Sequence, residues 1–572
     1  MRPARSLSIR GLLTTGLAGV SLALAVAASA QAPPAVDEPA AAADPAPAPA
    51  RSGPRLLPGE PIPPLELEAF VDATMKLGME QANVAGGAVS IVQNGRVVLS
   101  KGYGFASFDP LRPVDPETTL FRLGSITKTF TWIAAMRAVE AGKLDLDAPV
   151  NTYLPPDLQI PADGFDQPIR MRDLMTHSPG FEDRALGVLF VFDPARITPL
   201  ERFLVEARPR RVREPGLVSS YSNYGTALAG AVVEAVEGMR WQDLVERDIL
   251  APLGLSHTTV REPYPARPEL PAPMTDALAR DLSGGFLWNG VAHVPRDFEY
   301  ITQLAPAGSM SASAGDMARY MLLLLRDGTL DGITIFGPEA ARAFRTPMTS
   351  LPRSVGALDA GFFEAVEPGG FRSYGHGGAT LTFFSSLVVV PELDLGIFAA
   401  TNTVGGGAVA NPLARRIVEH FYAPPRAAPA EPSPELVQMA GVYAGDYIAT
   451  RRRYGGLEGF FARFPSALSI RVTSEGYLLV SGASAPAQRF VPAGEPDVFR
   501  PANAGPNAAP LKFERDGGGR AERVAAIGIA FERAGFLHRP STLILVGALA
   551  LFTAGAVVVG AFVRGRRPLA EH

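Results

Sequence analysis

The sequence predicts an α+β fold: one antiparallel sheet covered by helices, then a small all-β domain, then a single transmembrane helix near the C-terminus. Three observations carry this. Strand-like runs stand at both ends of residues 61–422 with helical runs between them. Residues 435–533 change to short strand candidates broken by Gly and Pro. Residues 541–563, STLILVGALALFTAGAVVVGAFV, carry no charge and are long enough to cross a bilayer core.

Taken in order, residues 1–30 have the form of a signal peptide. Arg2, Arg5 and Arg10 precede an uncharged apolar stretch, and Ala28-Ser29-Ala30 fits a small-residue cleavage site. Residues 31–60 form an Ala/Pro-rich linker that cannot bury a core. The main domain, 61–422, opens with an amphipathic helical pattern near 65–81. GGAVSIVQNGRVVLSKGYG follows, two apolar strands around Asn94-Gly95, a strong hairpin signal. Helical runs come next from Ser125, over 226–237 and over 316–325, and LTFFSSLVVVPELDLGIFAATN reads as two strands joined at 391–394. A second linker, 423–434, separates this domain from the β domain at 435–533. After the apolar span, residues 564–572 begin with Arg564, Arg566 and Arg567, which places that end in the cytoplasm and the main domain outside.

Composition removes several function classes. The net charge is −4 and the body has no long basic block, so nothing points to nucleic acid. Cysteine is absent, which excludes disulfides, thiol nucleophiles and thiolate metal sites. None of the seven histidines shows H-x-H or H-E-x-x-H spacing, so no metal and no cofactor is expected, and His177 in its THSPG turn reads as structural. No G-x-S-x-G elbow is present.

The chemistry concentrates in Ser125-Ile-Thr-Lys128. Serine and lysine three apart on a helix face the same way, so the amine can take the hydroxyl proton. Lysine is scarce here: Lys76, Lys101, Lys128, Lys143 and Lys512 are all there are. On its own Ser125 equally suits a helix cap. Tyr221-Ser-Asn223 lies just before an apolar helical run. A phenol there, its pKa lowered by a nearby lysine, can accept the serine proton, and Asn223 can orient Lys128. Alone, that segment reads as a capped loop. Tyr374-Gly-His376-Gly377-Gly378-Ala379 opens the late strand pair, where glycines let a ligand or backbone come close.

In this order, S-x-x-K, Y-x-N and H-G-G resemble the serine β-lactamase and penicillin-recognising hydrolase family, most closely class C β-lactamases, D-aminopeptidase-like enzymes and related esterases. RDLMTHSPGF at 172–181, LAPLGLSHTT at 250–259 and the stretch 305–321 add to the likeness. The resemblance implies a β-lactamase/transpeptidase-like fold with a helical lobe and the site between lobe and sheet. It implies that Ser125 is acylated, that Lys128 and Tyr221 share the proton transfers, and that Asn223 helps hold lysine and substrate. The Ser125 and Ala379 N–H groups would form the oxyanion hole, with His376, Gly377 and Gly378 lining the substrate strand. One departure stands out: His376 occupies the place of the family's usual lysine. A mostly neutral imidazole weakens carboxylate recognition and leans the reading toward esters, amides or D-peptides. The 435–533 segment resembles the lipocalin-like domain of some relatives, with GVYAGDY at 441–447 as its first strand.

The expected function is therefore a membrane-anchored, extracytoplasmic serine hydrolase held at the outer, periplasmic face of the inner membrane. Its partners would be a small ester, amide or D-peptide substrate and the membrane itself. Two alternatives remain: a non-catalytic penicillin- or peptidoglycan-binding sensor using the same cleft, or a true class C-like β-lactamase.

Overall fold

The computed structural model describes residues 53–184, 188–349, 351–352, 354–424, 430–482, 485–503 and 509–565. The leader at 1–30, most of the 31–60 linker, part of the 423–434 break and most of the 564–572 tail lie outside them.

The hairpin forms as its turn residues dictate. Asn94 (φ 51°) and Gly95 (φ 75°) adopt the left-handed pair of a tight turn. It joins β1 (Gly86–Gln93) to β2 (Arg96–Phe108). With β3 (Leu111–Pro113), β4 (Ala357–Asp359), β5 (Phe362–Val366), β6 (Arg372–Ala379), β7 (Phe384–Val390) and β8 (Leu395–Thr401), they make one eight-stranded antiparallel sheet in the order β4-β5-β6-β7-β8-β1-β2-β3. The first and last segments thus meet at its centre, where Val89 lies opposite Ala399.

Strand alternation sorts the side chains into two layers. Val89, Ile91 and Ile397 pack under α1 (Pro64–Ala82) and α6 (Leu413–Phe421), against Leu67, Val71, Ile417 and Phe421. Ala88, Phe398 and Ala400 face the opposite layer, which holds α2 (Thr127–Glu140), α3 (Met171–Met175), α4 (Asn223–Glu237) and α5 (Ala314–Leu325). Trp132, Phe130 and Tyr320 are buried there.

A buried ion pair locks this layer. Arg122 and Glu262 pair with both side chains 1% exposed. Glu262 also accepts from the Ile301 N–H at 2.8 Å and the Thr302 hydroxyl at 2.6 Å.

Residues 445–533 form a closed eight-stranded antiparallel barrel, β9 (Gly445–Ala449), β10 (Ala467–Val472), β11 (Leu478–Gly482), β12 (Ala485–Pro492), β13 (Val498–Pro501), β14 (Leu511–Arg515), β15 (Ala521–Ala526) and β16 (Ile529–Arg533). β16 closes on β9, Tyr447 opposite Arg533. Tyr447, Phe490, Phe499 and Phe513 fill its core. One expectation is corrected. GVYAGDY is not a continuous strand, because Ala440–Tyr443 is a helical turn and the strand starts at Gly445. The reason is aromatic packing: that turn drives the Tyr443 ring edge-on against Phe499 and Phe513, with centroids 4.9 and 5.0 Å away.

The last element, α7 (Pro540–Gly565), contains within 540–560 an 18-residue stretch whose mean hydropathy is 2.5 and of which none is buried in the protein.

Replacing Glu262 by Gln should strand the Arg122 charge and cost about 3–5 kcal/mol of stability. Chemical denaturation of the variant and of wild type measures this.

Candidate active site

Ser125 sits in a single 3-10 turn, Gly124–Ile126, immediately before α2. Its hydroxyl does not cap the helix; neither end residue of that turn makes a side-chain cap. The hydroxyl instead meets Lys128 one turn on, with Lys128 Nζ 3.0 Å from Ser125 Oγ. Nζ also donates to Asn223 Oδ1 at 2.8 Å and to the Ala307 carbonyl at 2.6 Å. Lys128 is fully buried. Burial pushes its pKa well below the usual lysine value, the Arg451 guanidinium adds to the fall, and Asp183 opposes it. The neutral amine is favoured, and a neutral amine is a base.

Asn223 opens α4, which Ser222 caps through the Gly225 N–H at 2.9 Å. Ahead of it, Tyr221 is clamped by His177. The His177 carbonyl accepts from the Ser220 N–H at 2.7 Å, and its Nδ1 accepts from the Ser222 N–H at 3.2 Å. Its ring lies 4.2 Å from the Tyr221 ring. His177 is thus a structural residue, and among the described residues no cluster of His, Asp and Glu could hold a metal.

The phenol departs from expectation. Burial raises the Tyr221 pKa, with the Ser125 hydroxyl and Arg451 pulling weakly the other way. A desolvated phenolate costs more than the nearby cation returns. Tyr221 therefore stands as a neutral O–H beside Ser125. Its oxygen is buried and closes no hydrogen bond of good geometry.

β6 supplies the third wall. A Cβ on Gly378 would sit 1.9 Å from the Leu123 carbonyl oxygen and 2.3 Å from Ser385 Oγ, so only glycine lets the strand lie against the turn that carries Ser125. Ser385 Oγ donates to that same carbonyl at 2.8 Å. At Gly124 (φ 51°) an added Cβ would lie 2.8 Å from the Ala379 nitrogen, which puts that N–H next to Ser125. Gly377 and Ala379 are exposed, while His376 is only 6% exposed. Its ring packs edge-on against Phe363 at 4.9 Å and lies 6.2 Å from Tyr221. Burial pushes its pKa down to about 3. The imidazole is neutral and supplies no positive charge. Beside Ser125, a small pocket is lined by Leu189, Phe190, Ile301 and Leu304.

The structure thus brings Ser125, Lys128, Tyr221, Asn223, His376, Gly377, Gly378 and Ala379 together. It adds residues the sequence did not single out. The Ala307 carbonyl holds the amine, and Phe363 supports His376 and Tyr221. Arg451, from the loop after β9, places its guanidinium 4.9 Å from the centre of the Tyr221 ring.

The model of the beta-lactamase family matches residues 71–421, the stretch that carries all the site residues except Arg451. The chain belongs to the beta-lactamase family. It is 32% identical over 198 residues to a beta-lactamase of Pseudomonas fluorescens, covering 35% of this chain and 52% of the relative, so it spans about half that relative's length. To penicillin-binding protein 4 of Amycolatopsis lactamdurans it is 27% identical, over 63% of this chain and 93% of the relative. Esterase EstB of Burkholderia gladioli is 31% identical over 33% of this chain and 50% of its own. Among solved structures, SurE aligns with a TM-score of 0.53 at 26% identity, over 82% of this chain and all (100%) of its own. A class C beta-lactamase aligns at 0.52 and 21% identity, over 64% of this chain and 100% of its own, and agrees in fold.

The two neutral histidines fix a pH dependence. Their pKa values in the folded state lie below the ordinary 6.5, His376 at about 3. Between those values the unfolded chain takes up protons that the folded chain refuses. Stability should therefore be full above about pH 6.5 and fall as the pH drops, by up to about 1.4 kcal/mol per pH unit for each histidine. Urea midpoints across that range measure the slope, and His376→Asn should flatten it.

Proposed function

We propose that this protein is a membrane-anchored, extracytoplasmic hydrolase that cleaves an ester, amide or D-amino-acid peptide through an acyl-enzyme on Ser125. The observation that carries the reading is the buried Lys128 amine, 3.0 Å from the Ser125 hydroxyl.

Lys128 takes the Ser125 proton as the serine oxygen attacks the substrate carbonyl. The Ser125 and Ala379 N–H groups receive the developing oxyanion. The neutral Tyr221 hydroxyl gives its proton to the leaving group and regains one from Lys128. Water then attacks the acyl group, its proton passes to the same coupled pair, and Ser125 Oγ takes that proton back as its bond to the acyl carbon breaks. Asn223 and the Ala307 carbonyl keep the amine aimed at Ser125 throughout. The described residues offer no metal cluster, and the scheme calls for no cofactor.

Several observations support placement outside the cytoplasm. Penicillin-binding relatives match over much of this chain. The apolar helix over 540–560 suits an inner-membrane anchor, and the arginines after it suit the cytoplasmic side. In this reading 61–422 is the catalytic domain, 435–533 the barrel domain and 541–563 the membrane span.

The neutral His376 favours this reading over efficient β-lactamase action, because the strand lacks the fixed cation that a lactam carboxylate meets. The paired Ser125 and Lys128, with Tyr221 beside them, favour it over a sensor, which needs no buried base.

A fluorescent acyl phosphonate should label wild type and spare Ser125→Ala. Folded wild type that stays unlabelled would end the hydrolase reading. Lys128→Ala and Tyr221→Phe should each lower ester turnover by about 10²–10⁴-fold. A chromogenic cephalosporin should turn over slowly, and rapid turnover would remove the argument drawn from His376.

A further inference from the structure

The barrel reaches into the cleft. The loop after β9, Thr450 to Tyr454, is tied to the helical layer at several points. The Arg452 carbonyl accepts from the Asp183 N–H at 3.1 Å, and the Tyr454 N–H donates to Glu182 Oε2 at 2.9 Å. Arg213 donates to the Tyr454 hydroxyl and lies 3.6 Å from Glu532 of the barrel. The turn between β15 and β16 packs as closely: a Cβ on Gly528 would lie 2.5 Å from the Phe363 ring, and one on Gly356 would lie 2.1 Å from Ile527. The loop is therefore a fixed part of the cleft wall.

At its tip, the Arg451 guanidinium stacks over the Tyr221 ring at 4.9 Å. Its Nε donates to Asp183 Oδ2 at 2.8 Å, and the side chain stays 35% exposed. In the proposed mechanism Tyr221 faces the leaving group. The strand wall opposite carries the neutral His376. So the cation beside the Tyr221 ring comes from the barrel, and Asp183 holds its Nε while its two Nη groups make no hydrogen bond among the described residues.

We propose that Arg451 is a substrate-binding residue that receives a carboxylate on the leaving group, so that the barrel sets the specificity of the hydrolase. This rests on the reading of Ser125 as the nucleophile. A guanidinium offers two parallel N–H donors and matches a carboxylate in pairs. Reached over the Tyr221 ring, it suits a flexible chain with a free carboxylate end, unlike a rigid lactam whose carboxylate is fixed beside the scissile bond.

The test compares the phenyl and 3-carboxyphenyl esters of one short acyl group, using the full chain in detergent. Wild type should prefer the carboxylated ester by about tenfold in kcat/KM, expressed in KM. Arg451→Gln should erase that preference, read as the ratio of kcat/KM for the two esters, while Arg451→Lys keeps part of it. Asp183→Asn, which frees the guanidinium, should widen the preference, and this reading survives if Arg451→Gln fails to fold. Equal losses on both esters in Arg451→Gln, or no preference in wild type, would overturn the assignment. If Ser125→Ala cleaves the phenyl ester as well as wild type does, or wild type cleaves neither ester, the hydrolase reading is what has failed. Calorimetric binding of 3-hydroxybenzoate to wild type but not to Arg451→Gln would then still support Arg451, and equal binding to both would refute it.

Discussion

A single desolvated amine organises this protein. Lys128 is fully buried, so its proton affinity falls, and three oxygens fix where its nitrogen points. Each oxygen comes from a different part of the chain: one turn away at Ser125, at the start of α4 in Asn223, and in the kinked segment ending at Ala307. The amine can be a base only while these parts stay packed. The Arg122–Glu262 pair serves that end, since Glu262 grips Ile301 and Thr302 just before the Ala307 carbonyl. Stability and reactivity here share the same contacts.

Two approaches of backbone to backbone complete the arrangement. Gly378 and Gly124 remove the side-chain atoms that would part β6 from the turn that carries Ser125. The result is a rigid seam, and the Ser125 and Ala379 N–H groups flank it. Rigidity matters to the proposed oxyanion hole, which acts through donors already in place before charge develops. The phenol shows the same environment at work in reverse. Burial that frees the lysine of its proton keeps the tyrosine holding its own. One apolar surrounding thus divides the two groups into an acceptor and a donor.

Much of this was legible in the residues. The Ser125–Lys128 spacing is local, and helix periodicity alone puts both on one face. The Asn94-Gly95 turn and the late strand pair were equally readable, because turn chemistry and alternation are local signals. Tyr221, Asn223 and the H-G-G strand gained meaning only through the family resemblance, since alone each looks like a cap or a turn. Arg451 was invisible. It stands in a run of three arginines in an arginine-rich chain, where it reads as solvated charge. Its partner Asp183 lies 268 positions away, and no periodicity links a barrel loop to a distant cleft. The state of the phenol was misread for a similar reason: a nearby lysine can be guessed from sequence, but the loss of solvent around a side chain cannot.

The barrel has two unlike ends. The β9 exit loop and the β15–β16 turn meet the cleft, whereas Ala534, just past β16, returns beside Asp446 at the other end. From there the chain runs through a short turn into the apolar α7. Five-residue strands at about 3.3 Å per residue make this a pedestal roughly 15 Å tall. In the proposed membrane anchoring, a bilayer gripping α7 would meet the foot of the pedestal, with the Ser125 cleft raised at its top. Substrates embedded level with lipid headgroups would sit below the opening, and those projecting outward, or drifting free, would sit at its height.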